Sequence, residues 1–158
     1  MPRQRLSPEL RKQLQAVAIP VRKEKGTILF RAEQPGRGAF LIRSGQVKLT
    51  LDGAPGLYPA RTLDSGAVIG LPATFSGEPY SLTAEVKRTC RLDFIPRRKL
   101  LNFLRRNPEA GFQIARVLSE EIFQMRRAAK RSLRSPLPVR LHETRSRLRP
   151  RKLAATNS

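Results

Sequence analysis

The segment IGLPATFSGEPYSLTAEV, residues 69–86, gathers the groups in this chain best suited to hold a small molecule. Tyr80 and Ser81 offer hydroxyls that can hydrogen-bond a neutral ligand, and Gly70 supplies a tight turn. Leu71, Ala73 and Thr83 lie in the same segment. The alternative reading of the same residues is a glycine turn and a short capped helix that hold no ligand. A second set lies near the C-terminus, where Arg145, Arg147, Arg149, Arg151 and Lys152 make a dense basic run. Such a run suits phosphates, with an affinity that depends on salt and not on base sequence. No aromatic residue is interleaved there, which argues against stacking on single strands. The tail is therefore expected either to bind DNA by a non-specific electrostatic mode or to be solvated without a partner.

Other chemistry is poorly supported. Glu120 and Glu121 are adjacent, and adjacent helical residues do not face each other. His142 is the only histidine and has no nucleophile placed beside it. Cys90 is the only cysteine, so no internal disulfide forms, and its place at a strand start suits a small core residue. Gly-x-Ser-x-Gly, phosphate-cradling glycine loops and paired metal ligands are absent from the sequence. The chain is expected to be no enzyme and to need no cofactor or metal. No apolar run reaches the roughly 20 residues of a membrane helix, and no secretory signal opens the chain, so a reducing cytoplasm is expected.

Charge is the largest global bias, at +20 over 158 residues. Residues 1–25 carry 7 basic and 2 acidic groups, residues 26–125 carry 14 and 9, and residues 126–158 carry 11 and 1. Half of the excess thus sits in the last fifth of the chain, which favours anionic partners.

The elements that must position these groups follow from pattern. Ser7-Pro8-Glu9 reads as an N-cap, a first-turn proline and an acid at the positive end of the helix dipole. Leu10, Leu14 and Val17 then recur at helical spacing until Pro20. Short strands follow at Thr27–Phe30, Ala39–Ile42, Val47–Leu51, Leu57–Leu63, Val68–Ile69, Leu82–Val86 and Cys90–Ile95, with Ser44-Gly45, Asp52-Gly53 and Ser65-Gly66 as breaks. At least six short strands at this spacing predict a small sandwich or barrel. A helix is predicted after Pro96 and a longer one from Asn107-Pro108-Glu109. Along the latter, Ala115, Leu118, Ile122, Met125 and Ala129 keep a 3–4 spacing, as in a two-helix dimer contact or in packing on the barrel; the dimer contact is the favoured reading. The pattern dissolves beyond Ser135, where few large apolar residues remain.

Three stretches together suggest a family: KGTILFRAEQPGRGAFLIRSGQVKLTL, LDSGAVIGLPATFSGEPYSLTAEV and CRLDFIPRRKLLNFLRRNPE. Their order, with Gly26, Gly45, Gly66, Pro96 and Asn107-Pro108-Glu109, resembles the cyclic-nucleotide-binding domain of Crp/Fnr-type bacterial regulators over about residues 10–134. The resemblance implies a mainly β fold with helices, a jelly roll of about eight strands followed by a long C-terminal dimerisation helix. It implies residues 1–107 as roll with a short N-terminal helix and 108–134 as dimer helix, with the degenerate ligand pocket at Gly70, Leu71, Ala73, Tyr80, Ser81 and Thr83; by composition, 135–158 is expected as a basic, disordered tail. It also implies a transcription regulator that is a homodimer and senses a small-molecule effector. Two departures stand out. The family's cyclic-AMP-binding members carry a Glu for the ribose where this chain has Leu71, and an Arg for the cyclic phosphate where it has Tyr80. Losing that Arg removes a charge-assisted bond of roughly 1.5–3 kcal/mol, so the usual cyclic-nucleotide mode is not expected. The family's helix-turn-helix is not expected in the 24 residues after Arg134. Two functions follow: a sensor module of a regulator family, or a non-specific nucleic-acid-associated dimer with the roll as scaffold.

Overall fold

The computed structural model describes residues 5–52 and 59–134. The first helix, α1 (Pro8–Gln15), starts where the capping residues predict. Ser7 Oγ accepts the Leu10 N–H at 3.2 Å and donates to Gln113 Oε1 at 2.8 Å, so one hydroxyl both caps α1 and ties it to the last helix. Leu10 and Leu14 point inward and are buried.

Six strands form one antiparallel sheet among the described residues: β1 (Ile19–Lys23), β2 (Ile28–Phe30), β3 (Gly38–Thr50), β4 (Arg61–Leu63), β5 (Val68–Ile69) and β6 (Thr83–Pro96). The spatial order is β1-β6-β3-β4, with β2 also on β6 and β5 also on β3. This mainly β architecture with helices agrees with the expected class, but the strand lengths do not. Ala39–Ile42 and Val47–Leu51 were expected as separate short strands; they are two parts of the 13-residue β3. Leu82–Val86 and Cys90–Ile95 likewise merge into the 14-residue β6. The two long strands pair from Gly38 opposite Pro96 to Thr50 opposite Thr83, with register shifts around residues 42–47.

Gly45 explains the first merger. Its φ of +96° is left-handed backbone, and a Cβ there would collide with the Thr89 carbonyl and lie 2.7 Å from Cys90 Sγ. The glycine therefore makes a bulge that bends a continuing strand instead of ending it. β1 was not foreseen, because Pro20 reads as a breaker. It is an edge strand, where a missing N–H is tolerated.

Two cores result. Inside the roll, Phe30, Phe40, Ile42, Val47, Leu49, Ile69, Tyr80, Val86 and Leu92 pack together. Outside it, Leu10 and Leu14 of α1, Ala39, Val68, Leu71 and Ile95 meet Leu100 and Phe103 of α3 (Arg97–Arg106) and Ala110, Ile114 and Val117 of α4 (Pro108–Arg134). The start of α4 is thus anchored on the sheet. No helix among the described residues is long and apolar enough to cross a membrane.

Candidate ligand pocket

A pocket of about 450 Å³ opens between the roll and α4. Its volume lies within the roughly 300–1,000 Å³ range of small-molecule sites. Phe30, Leu49, Val68, Ile69, Ala73, Phe75, Leu82, Leu118 and Ile122 make its walls mostly apolar. The charged groups on the lining are Arg61 and Glu78.

The candidate segment builds one side of this pocket. Gly70, at φ +75°, turns the chain from β5 into the short helix α2 (Leu71–Ser76). A Cβ at Gly70 would stand 3.0 Å from the Tyr80 ring, so glycine lets the α2 turn approach the segment before β6. Thr74 Oγ1 donates to the Gly70 carbonyl at 2.7 Å, and the Gly77 N–H closes the helix on Ala73 O at 2.8 Å.

Of the six residues singled out by sequence, Gly70, Ala73, Tyr80 and Ser81 line the pocket. Leu71 and Thr83 are not on its lining. Leu71 is fully buried in the outer core, because α2 turns it away from the roll interior. The Thr83 hydroxyl accepts the Ala32 N–H at 3.0 Å and donates to Asp52 Oδ2 at 2.5 Å, which fastens the strand ends.

Tyr80 lines the pocket with its ring but not with an available hydroxyl. The ring stacks on Phe30, with centroids 3.9 Å apart and planes 11° from parallel. The hydroxyl donates to the Gly38 carbonyl at 2.5 Å and accepts the Gly38 N–H at 3.1 Å. Both of its hydrogen-bonding roles are thus taken by the start of β3, and the residue is 5% exposed. The expected role of this hydroxyl toward a ligand gives way to a structural one. Ser81, at the exposed rim, remains the hydroxyl nearest to that role.

Arg61 was missed from the sequence. It lies opposite Leu49 in the β3–β4 pairing, and both line the pocket. The available signal was its period-two relation to Leu63, which places both on the inward face.

The predicted seam on α4 divides. Leu118 is half-buried, and it and Ile122 face the pocket; Ala115 is exposed; the side chains of Met125 and Ala129 lie outside the described residues. The core-facing positions are instead Ala110, Ile114 and Val117. On the opposite side of α4, Phe112 and Phe123 are 71% and 61% exposed. The basic run at residues 145–152 and His142 lie outside the described residues.

Two further titratable groups, Cys90 and Asp93, are buried on β6. Burial pushes the Cys90 thiol up from its ordinary pKa, and its sulfur rests 3.1 Å from the Arg88 carbonyl. Asp93, 2% exposed, is also raised by burial; Arg43 opposes that shift from 3.6 Å, too far for a hydrogen bond. Glu120 is exposed. No group of three or more metal-ligating side chains occurs among the described residues.

The profile of the cyclic nucleotide-binding domain matches residues 20–107. No curated protein sequence matches the chain. Among solved structures, the N-terminal domain of a transcriptional regulator from Streptomyces coelicolor is 22% identical, with a TM-score of 0.60, and the match covers 78% of this chain and 86% of that one. The catabolite activator protein of Thermus thermophilus is 23% identical, with a TM-score of 0.61 over 81% of this chain and 59% of that one. The cyclic-di-GMP-responsive global regulator CLP of Xanthomonas campestris is 15% identical, with a TM-score of 0.66 over 79% and 62%. The chain therefore spans about three fifths of the latter two proteins, and these likenesses establish a shared fold.

Proposed function

Since the chain belongs to the cyclic nucleotide-binding domain family, we propose that it is the regulatory sensor module of a Crp/Fnr-like transcription regulator, and that its effector is a largely apolar small molecule instead of a cyclic mononucleotide. One observation carries this reading: the pocket is walled on one side by the roll and on the other by Leu118 and Ile122 of α4. A ligand there touches both elements, so its binding energy can bias the placement of the helix.

The ligand class follows from the walls. Leu71, at the family's ribose-binding Glu position, is withdrawn into the outer core, and Tyr80, at the family's phosphate-binding Arg position, spends its hydroxyl on Gly38. An apolar body against Phe30, Leu49, Ile69, Leu82, Leu118 and Ile122 loses water at little polar cost. The output runs through α4 acting as a dimer helix. Covering an exposed Phe side chain contributes about 1.5–3 kcal/mol, and Phe112 and Phe123 both await cover.

A thermal-shift titration against cyclic AMP and cyclic GMP tests the ligand class. A site filled to about 100 times its Kd gains about 2.7 kcal/mol, a shift of several degrees. The reading predicts no saturable shift with either nucleotide; such a shift with one of them would overturn it. A second reading, non-specific association with nucleic acid, draws support from the charge of +20.

A further inference from the structure

From the exposed face of α3 we infer a surface that binds the phosphate backbone of nucleic acid, independent of the pocket and of the C-terminal basic run. The sequence of α3 is RRKLLNFLRR, with five cations and no acid. Four of them, Arg98, Lys99, Arg105 and Arg106, are exposed, as is Asn102 between them. At 3.6 residues per turn these five positions fall within an arc of about 120°. The other side of the helix buries Leu100 and Phe103 in the outer core, so the cationic face is held outward by packing.

Helix stability accounts for Arg105 and Arg106, which sit in the last turn where a cation suits the dipole, but not for the cations of the first turn. Arg97, Arg98 and Lys99 occupy the first turn, where the helix dipole is positive and a cation is unfavourable by a few tenths of a kcal/mol. No acid stands in that turn, and no side chain caps it. None of the ion pairs among the described residues involves the four exposed cations, although Glu109 follows closely in sequence. Arg37 adds a further exposed cation at the same end, because its carbonyl accepts the Arg97 N–H at 2.9 Å.

The dimensions suit a duplex. Arg98 and Arg106 are eight residues apart, about 12 Å along the axis. That length of double helix carries about seven phosphates. The outward face has no aromatic side chain, so it would grip the backbone without stacking on bases, and its affinity would be indifferent to sequence.

The test compares the full chain with the variant Arg98→Gln, Lys99→Gln, Arg105→Gln, Arg106→Gln, which keeps the basic C-terminus. Fluorescence anisotropy with two unrelated duplex DNAs is recorded from about 50 to 200 mM salt. Each lost phosphate contact lowers the slope of log K against log salt by about 0.9, so the expected loss is about 3–4. Affinity at low salt should fall at least about tenfold, equally for both DNAs, and a variant with Arg98→Lys, Arg105→Lys and Arg106→Lys that keeps Lys99 should retain the parent slope. An unchanged slope in a variant with an unchanged melting temperature overturns the inference. So does loss of poly-glutamate binding with DNA binding intact, which would assign the face to an acidic protein.

Discussion

Tyr80 shows how one side chain can line a pocket and yet commit its hydroxyl elsewhere. Its ring closes the pocket beside Phe30, and its hydroxyl clamps both backbone groups of Gly38, 42 residues earlier. Nothing in the local sequence announces that clamp, because the partner is backbone and comes from the opposite end of the β3–β6 ladder. Tyr80→Phe leaves the Gly38 N–H and carbonyl buried without their partner. The expected cost is about 1–3 kcal/mol, read from urea unfolding, with the ring still stacked. A cost near zero would mean that the hydroxyl is available to a ligand after all. Leu71 was equally hidden: its apolar character fits either a pocket wall or a core, and only the direction of α2 decides for the core.

Elements were legible where the deciding interaction is local. Ser7-Pro8-Glu9 states the start of α1 within three residues, and Pro108-Glu109 does the same for α4. They were illegible where pairing decides. Gly45 ends a strand or bends one according to whether its partner continues, and β6 continues past it. The helical spacing was expected to run to Pro20, but α1 already ends at Gln15 and Pro20 lies in β1, where a sheet edge admits it. On α4, the repeat at Ala115, Leu118 and Ile122 was visible, but its phase was mixed. Ile114 and Val117 face the core, Leu118 and Ile122 the pocket, and Phe112 and Phe123 solvent. The proposed dimer therefore depends most on the two phenylalanines. Phe123→Glu places a charge on an exposed position, so folding should be unaffected. Sedimentation velocity should show a dimer for the parent chain and a monomer for the variant; equal sedimentation would remove α4 from the dimer contact.

At the scale of the molecule, the pocket and the proposed dimer contact lie on adjoining residues of α4. Ile122 lines the pocket, and Phe123 beside it faces outward. Anything that tightens α4 against the roll should therefore affect both ligand affinity and dimer strength, and linkage makes the two effects reciprocal. The cationic face of α3 lies on the adjoining helix, and α3 and α4 share the outer core. The most direct test is the affinity of an uncharged apolar fluorophore, N-phenyl-1-naphthylamine, for the full parent chain and for Phe123→Glu, measured by fluorescence titration. If occupancy of the pocket is read by the dimer helix, both proteins bind one probe per chain, and their Kd values differ by at least about fivefold, the lower end of ordinary allosteric coupling. Identical Kd values in a variant that sedimentation shows to be monomeric, or no saturable binding to either protein, would contradict the account.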